Sequence, residues 1–217
     1  MSLIGAFARA AWKVSTTGFT KGENFTRYNM YKSLQTEPIF ATSSSWRRVL
    51  SISHSVGLCK TLGVRSEAIV QANYPEQKIN ALRFDSNQFT AVVSDQVLEH
   101  IECDPCEAVS EVYRVLEPGG IAVHTTCFMM PYHGSADYSD LDNGDFWRFT
   151  PSGLARLHKH YSEIIRIGGW GNTLVPLVNG LGLTWMPVPE AKWHPFNLLA
   201  RRNRTSYAHV VWVIARK

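Results

Sequence analysis

The chain has 217 residues, with 22 Lys or Arg against 18 Asp or Glu and a formal charge of +4. A chain of this length can bury about 70% of its unfolded surface, enough for one core, and its charge is too mild to mark a nucleic-acid binder. No run of about twenty apolar residues argues for a membrane span. The four cysteines are too few and too irregular for a disulfide scaffold, which points to a reduced, cytoplasmic setting.

Met1 to Val14 is Ala-rich with Arg9 and Lys13 inside it, a pattern for an amphipathic lid or packing helix that could also dock on a partner or a membrane surface. Strands are expected near 48–53, 68–73, 91–94 and 120–126, with a short piece near 80–84. Ala91-Val92-Val93 is too brief for a helix and ends in polar Ser94-Asp95-Gln96, as a buried parallel strand does at its carboxyl end. Asp104-Pro105 supplies a capping carboxylate and a proline at the first helical position. Ala108, Val109, Val112, Val115 and Leu116 then form one apolar stripe, and Pro118-Gly119-Gly120 stops the helix. Thr150-Pro151 repeats the cap and starts a helix to about Tyr161. Ile164 to Ile167 reads as a sixth strand and Ala208 to Ala215 as a final one. Between Gly168 and Tyr207, Gly, Pro and Trp are frequent and no helical period persists. Trp170, Trp185 and Trp193, with Trp147, Tyr132 and Tyr138, are core aromatics or walls of a pocket.

The string Phe84-Asp85-x4-Thr90-x7-Leu98-Glu99-His100, followed by Glu111-x2-Arg114-Val115-Leu116-x-Pro118-Gly119-Gly120, resembles the class I S-adenosylmethionine-dependent methyltransferases. Asp145-Phe146-Trp147-Arg148-Phe149-Thr150 with Gly153-Leu154 resembles a segment of one subgroup, where such a loop lies over the acceptor side. The likeness covers roughly residues 46–170. It implies an α/β fold with a Rossmann-like, doubly wound and mostly parallel sheet, closed by an antiparallel C-terminal strand. Residues 1–45 would form a helical or lid segment and 46–217 the core of a single domain.

By position, the resemblance puts Ser53, His54, Ser55 and Gly57 around the amino-acid end of S-adenosylmethionine and Asn73 and Tyr74 near its ribose. Asn80, Ala81 and Leu82 fall near the adenine, and Asp95 and Gln96 near the methyl donor. Three departures stand out. Only Gly57 remains of the glycine-rich first loop, and Ser51, Asn73 and Thr90 stand where acids are usual. Asn73 offers a neutral acceptor, roughly half as strong as a carboxylate.

A hydroxyl acceptor must lose a proton, and the base belongs on the loop after the fifth strand. His133 is the first candidate, since an unperturbed imidazole titrates near pH ~6.5; Asp137 or Asp145 would orient it or act instead. The aspartates of this loop read as a solvated run, with a divalent metal as the weighed alternative. Expected activity is O-methylation of a small-molecule or glycan hydroxyl. The rival reading is a methyltransferase-like binding or scaffolding module without activity. A nicotinamide-dependent oxidoreductase is disfavoured because no G-x-G-x-x-G follows the first strand.

Overall fold

A computed structural model describes residues 3–217. In chain order the elements are α1 (Leu3–Ser15), β1 (Lys21–Asn24), α2 (Phe25–Gln35), β2 (Val49–Ile52), α3 (Val56–Thr61), β3 (Ile69–Ala72), β4 (Phe89–Asp95), α4 (Pro105–Val115) and β5 (Leu116–Cys127). These are followed by α5 (Pro151–Leu157), β6 (Glu163–Trp170), α6 (Val175–Gly180), β7 (Pro187–Pro189), α7 (Pro195–Arg201) and β8 (Val210–Arg216). The part of α1 expected at Met1 and Ser2 lies outside the described residues. Two compact units divide the chain: residues up to Leu34 with Gly169–Val210, and Gln35–Gly168 with Val211–Lys217.

The larger unit is built on a six-stranded sheet of order β3-β2-β4-β5-β8-β6. β2 pairs in parallel with both β3 and β4, and β4 with β5. β8 runs against β5: Gly119 N donates to Lys217 O (3.1 Å) and Lys217 N to Gly120 O (3.0 Å). The architecture is the expected Rossmann-like α/β fold with an antiparallel last strand. Because β2 to β3 winds one way and β4 sits on the other side of β2, winding reverses between β2 and β4. That reversal opens a crevice at the carboxyl ends of the strands.

Sequence chemistry explains the central repeat. All four residues of β2 are buried, as are Ala91, Val92, Val93 and Ser94 on β4. Asp104 caps α4 by accepting from Cys106 N at 2.8 Å, and Ala108, Val109, Val112 and Val115 are buried along one face. α4 ends at Val115 and β5 starts at once, carrying the Pro-Gly-Gly turn inside it with a register shift between Phe89 and Ala91. Gly119 sits at φ +78°. A Cβ at Gly120 would come within 2.8 Å of Glu117 O and 3.1 Å of Phe89 O, so both glycines are required.

Three sequence expectations need correction. The piece near 80–84 is not a strand: Leu82 N donates to Glu111 Oε1 (2.9 Å) and Leu82 O accepts from Arg114 Nη2 (3.1 Å). Those side chains take the hydrogen bonds that a neighbouring strand would have made, and a single bridge, Lys78 to Ala81, is the only pairing there among the described residues. The helix after Thr150 stops at Leu157, because His158 N and Lys159 N close tighter turns on Ala155 O and Arg156 O. The sixth strand is longer than expected, Glu163–Trp170.

The smaller unit holds the expected helix α1 together with β1, α2, α6, β7 and α7, which the sequence pattern left unassigned. β1 and β7 pair antiparallel. Its core gathers Trp12, Phe25, Tyr28, Met30, Leu34 and Trp170, with Phe25 and Trp170 edge-on at 5.5 Å. Asn197 Nδ2 donates to Tyr28 Oη (2.7 Å) and to Pro189 O (2.6 Å), tying α7 to α2 and β7.

Candidate active site

The crevice between the ends of β2, β3 and β4 opens into a cavity of about 600 Å³, within the usual size range of a small-molecule site. Ser53 lines it from the turn after β2, Tyr74, Gln77, Ile79 and Asn80 from the segment after β3, and Gln96, Val97, His100, Ile101 and Glu102 from the segment after β4. Leu141 and Asp142 reach it from the loop after β5. Apolar Ile79, Val97 and Ile101 thus face polar Asn80, Glu102 and Asp142 in one space.

The turn after β2 keeps a glycine-loop shape without glycines. Ser53 and His54 sit at φ +46° and +65°, a conformation costing an L residue about 1–2 kcal/mol. Hydrogen bonds hold it there: Ser53 N donates to Ala72 O (2.9 Å), His54 N to Asn73 Oδ1 (2.9 Å), and Ser55 Oγ to Ile52 O (2.5 Å) while accepting from Asp95 N (2.8 Å). Asn73 and Ser55 therefore serve the turn itself. Gly57 lies in the first turn of α3, exposed, with nothing within 4 Å of where a Cβ would stand. A backbone bare at that point leaves room for close ligand approach.

Other expected binding residues are placed as follows. Tyr74 Oη donates to Asp142 Oδ1 at 2.8 Å, joining the cavity wall to the loop after β5. Asn80 lines the cavity, whereas Ala81 is exposed outside it and Leu82 is buried with its amide engaged by Glu111. Asp95 accepts from Thr125 Oγ1 at 2.6 Å and does not line the cavity. Gln96, at φ +57°, does, and its amide N donates to Thr125 O at 3.0 Å. Thr90 and Ser51 lie away from the crevice. Thr90 Oγ1 donates to Arg48 O (2.9 Å) at the opposite end of the strands, and Ser51 is buried within β2.

A second hollow of about 550 Å³ adjoins the cavity through the shared residues His100 and Asp142, and is also lined by His133, Gly134, Ser135, Asp140 and Asn143. Asp145 organises its floor. Its carboxylate side chain is wholly buried, receives Arg148 Nη1 and Nη2 at 2.5 Å each, and accepts from His133 N at 2.9 Å. Burial alone would raise the Asp145 pKa. The Arg148 hydrogen bonds and the His133 amide outweigh it and hold the group below the usual carboxylate range.

His133 Nδ1 lies 3.1 Å from Asp145 Oδ2 and 3.1 Å from Pro131 O. Both neighbours are acceptors, so Nδ1 carries the hydrogen and Nε2 is the basic nitrogen. Asp145 thus has the geometry of an orienting residue. Asp137 is brought to neither hollow: it is exposed, and its Oδ1 accepts from Ser139 N (3.0 Å) and Ser139 Oγ (2.7 Å). The His100 ring stands edge-on to His133 at 4.9 Å and its Nδ1 donates to Gly144 O at 2.7 Å.

Beneath His133, Glu99 is fully buried and accepts from Thr126 Oγ1 at 2.9 Å. With the Gln96 amide turned to suit its neighbours, Gln96 also donates to Glu99 Oε1 (3.1 Å) and accepts from Thr126 N (3.2 Å). Burial pushes the Glu99 pKa up against these hydrogen bonds. Cys103 lines the cavity, while Cys59 and Cys127 are buried. Of the aromatics, Trp170 is a core residue of the smaller unit. Trp147 Nε1 donates to Ile101 O (2.8 Å) under the cavity wall, and Tyr132 and Tyr138 pair with each other at 5.2 Å. Gln77, Ile79, Val97, Ile101, Glu102 and Leu141 carried no motif; their only sequence signal was position just beyond predicted strand ends.

Residues 39–124 match the family model described as a methyltransferase domain. Among solved structures, an S-adenosylmethionine-dependent methyltransferase from Mesorhizobium loti superposes with a TM-score of 0.53 at 12% identity, over 88% of this chain and 98% of that one. The fold is that of the class I S-adenosylmethionine-dependent methyltransferases, and a methyltransferase-domain model matches the first strands of its main sheet. A phosphoethanolamine N-methyltransferase from Haemonchus contortus, solved with S-adenosyl-L-methionine, superposes with this chain at TM-score 0.50 and 14% identity. It does so over 98% of this chain but 57% of its own. No curated relative matches the sequence significantly. Those two structures are described as S-adenosylmethionine-dependent or hold that nucleotide, and the cavity here has apolar walls that fit a purine and polar side chains that fit hydroxyls.

Proposed function

We propose that the protein transfers a methyl group from S-adenosylmethionine to a hydroxyl oxygen of a small molecule or glycan. The cofactor supplies a methyl group made electrophilic by a positive sulfonium. In this reading Ser53, His54 and Gly57 receive its amino-acid end, Asn73 and Tyr74 its ribose, and Asn80 with Ile79, Val97 and Ile101 its adenine. The acceptor occupies the adjoining hollow, where His133 Nε2 takes the hydroxyl proton. Asp145 keeps that ring in the right tautomer and is itself held ionised by Arg148. His100, shared by both hollows, marks where the two ligands would meet.

The single observation that carries the reading is the oriented His133–Asp145 pair in a hollow contiguous with the nucleotide-sized cavity. Titration calorimetry with S-adenosylmethionine and its demethylated product tests the first half, and micromolar binding is expected. Transfer of a labelled methyl to hydroxyl and amine acceptors in parallel tests the second. Absence of binding at millimolar cofactor would overturn the enzyme reading, and transfer to amines alone would overturn O-methylation. A non-catalytic binding module is the second reading, favoured by one observation: the Asn73 oxygen is taken by His54 N, leaving the usual ribose acceptor occupied.

A further inference from the structure

The smaller unit differs from the larger in charge. It carries nine Lys or Arg against two acids, Glu23 and Glu190, whereas the larger carries 13 against 16. One of those two acids is already neutralised, since Glu190 pairs with Lys32 at 2.8 Å and accepts from Tyr28 Oη. The overall charge of +4 therefore conceals a local excess of seven positive charges on one unit.

On that same unit α1 is turned the wrong way for a core helix. Gly5 and Trp12 are its buried residues, and Leu3, Ile4, Phe7 and Val14 are 91%, 69%, 78% and 78% exposed. Their spacing of three, four and seven residues sets them in one outward apolar stripe. The polar residues of the helix are Arg9, Lys13 and Ser15, and no acid occurs before Glu23. Beyond the helix end, Phe19 meets Trp193 edge-on at 5.4 Å, and Trp193 is 69% exposed beside exposed Lys192. Arg9 lies against Gly182, three residues before exposed Trp185.

We infer that this face is a docking surface for an anionic lipid bilayer, with α1 lying in the interface plane. An outward apolar stripe bordered by exposed Lys13, on a cationic unit with exposed tryptophans, is the pattern of an interfacial helix. The excess positive charge selects the negatively charged leaflet surface. A protein partner covering an apolar stripe of this kind would not by itself call for a net charge of +7 on the unit that carries it. Insertion here is shallow: among the described residues no helix is long and apolar enough to cross a membrane.

Flotation of the full chain with phosphatidylcholine vesicles containing about 30 mol% phosphatidylserine tests this. Binding is expected, lost with pure phosphatidylcholine and weakened at high salt. Ile4→Asp with Phe7→Asp should weaken it about tenfold or more, and Lys13→Glu with Lys192→Glu about 25-fold or more, from roughly a fivefold effect for each of the two lost positive charges. All four positions are exposed, so the far-ultraviolet circular dichroism and melting temperature should not change. Fluorescence of Trp193 and Trp185 should shift to the blue on vesicles and be quenched by brominated lipid. Absence of binding to the anionic vesicles, or binding indifferent to both double variants, would overturn the inference. So would sedimentation equilibrium showing a dimer that Ile4→Asp with Phe7→Asp dissociates, because the stripe would then be covered by a second copy.

Discussion

Lowering the pH from about 7.5 to 5 should cost the larger unit about 2 kcal/mol through His158 alone. The ring is buried at the end of α5, its Nδ1 donates to Leu154 O at 2.9 Å, and its Nε2 is buried without a hydrogen-bond partner. Its neighbours are the rings of His124 (5.2 Å) and Tyr161 (5.1 Å), neither of which brings a negative charge to offset an added proton. Burial pulls its pKa from 6.5 down to about 4. A histidine depressed in the folded state binds its proton more readily when unfolded. Its contribution is therefore intact above about pH 6.5 and is lost as pH falls toward 4. The full shift corresponds to roughly 3 kcal/mol below pH 4, and two thirds of that is already gone at pH 5.

His124 adds to the same slope. It is fully buried, its Nδ1 lies 2.5 Å from Ser94 Oγ, and burial followed by the nearby His158 lowers its pKa well below the ordinary value. Glu99 works in the opposite sense, since burial raises its pKa and acid relieves the cost of its charge. The wild-type curve is thus a sum of opposing slopes, and the decisive measurement is a difference. Urea midpoints from pH 7.5 to 5 should be compared for wild type and His158→Asn, which keeps a donor for Leu154 O but does not titrate. The gap between them should narrow by about 2 kcal/mol at pH 5. Parallel curves over that range would refute a buried neutral His158.

Four further outcomes are expected. His133→Ala should leave cofactor affinity unchanged and lower the transfer rate about 10²-fold or more, while unchanged turnover in single-turnover assays would discard His133 as base. Asp145→Asn should lower turnover with a shifted pH profile, because the oriented tautomer is lost; a pH profile identical to wild type would assign Asp145 to the Arg148 contact alone. His54→Gly should stabilise the fold by up to about 1 kcal/mol in urea titration, as φ +65° is relieved while its backbone hydrogen bond to Asn73 remains. Gly57→Trp should abolish S-adenosylmethionine binding by calorimetry with little change in melting temperature, since its position faces open space.

The central repeat was legible because each of its signals is local and mutually consistent. The Asp104-Pro105 cap and the Ala108 to Val115 stripe act within a few residues of one another and appear where the periodicity puts them, whereas Leu116, expected on the stripe, opens β5 and the Pro-Gly-Gly turn lies inside that strand. The segment at 80–84 was misread because its partners, Glu111 and Arg114, lie about thirty residues away and act through side chains rather than a strand. α2 and α7 were silent for a related reason. Their burial depends on Trp170, Glu190 and Asn197, contacts no window of sequence contains. At the site, His133 and Asp145 could be named from their loop, whereas Ile79, Val97 and Ile101 look like ordinary apolar residues until the sheet brings its strand ends together.

The departures at the first loop have a common physical account. A glycine turn is normally free to take positive φ, so replacing it with Ser53 and His54 costs strain that something else must offset. Three hydrogen bonds do so, from Ser53 N to Ala72 O, His54 N to Asn73 Oδ1 and Ser55 Oγ to Ile52 O. In the proposed reading Asn73 is then the side chain on which two demands compete, holding the turn and receiving a ribose. Asn73→Asp would relax that competition, because a carboxylate has acceptor capacity for both. Cofactor affinity should rise several-fold in this variant by calorimetry, and the same Kd as wild type would mean that the ribose is received elsewhere on the cavity wall, at Glu102 or Asp142.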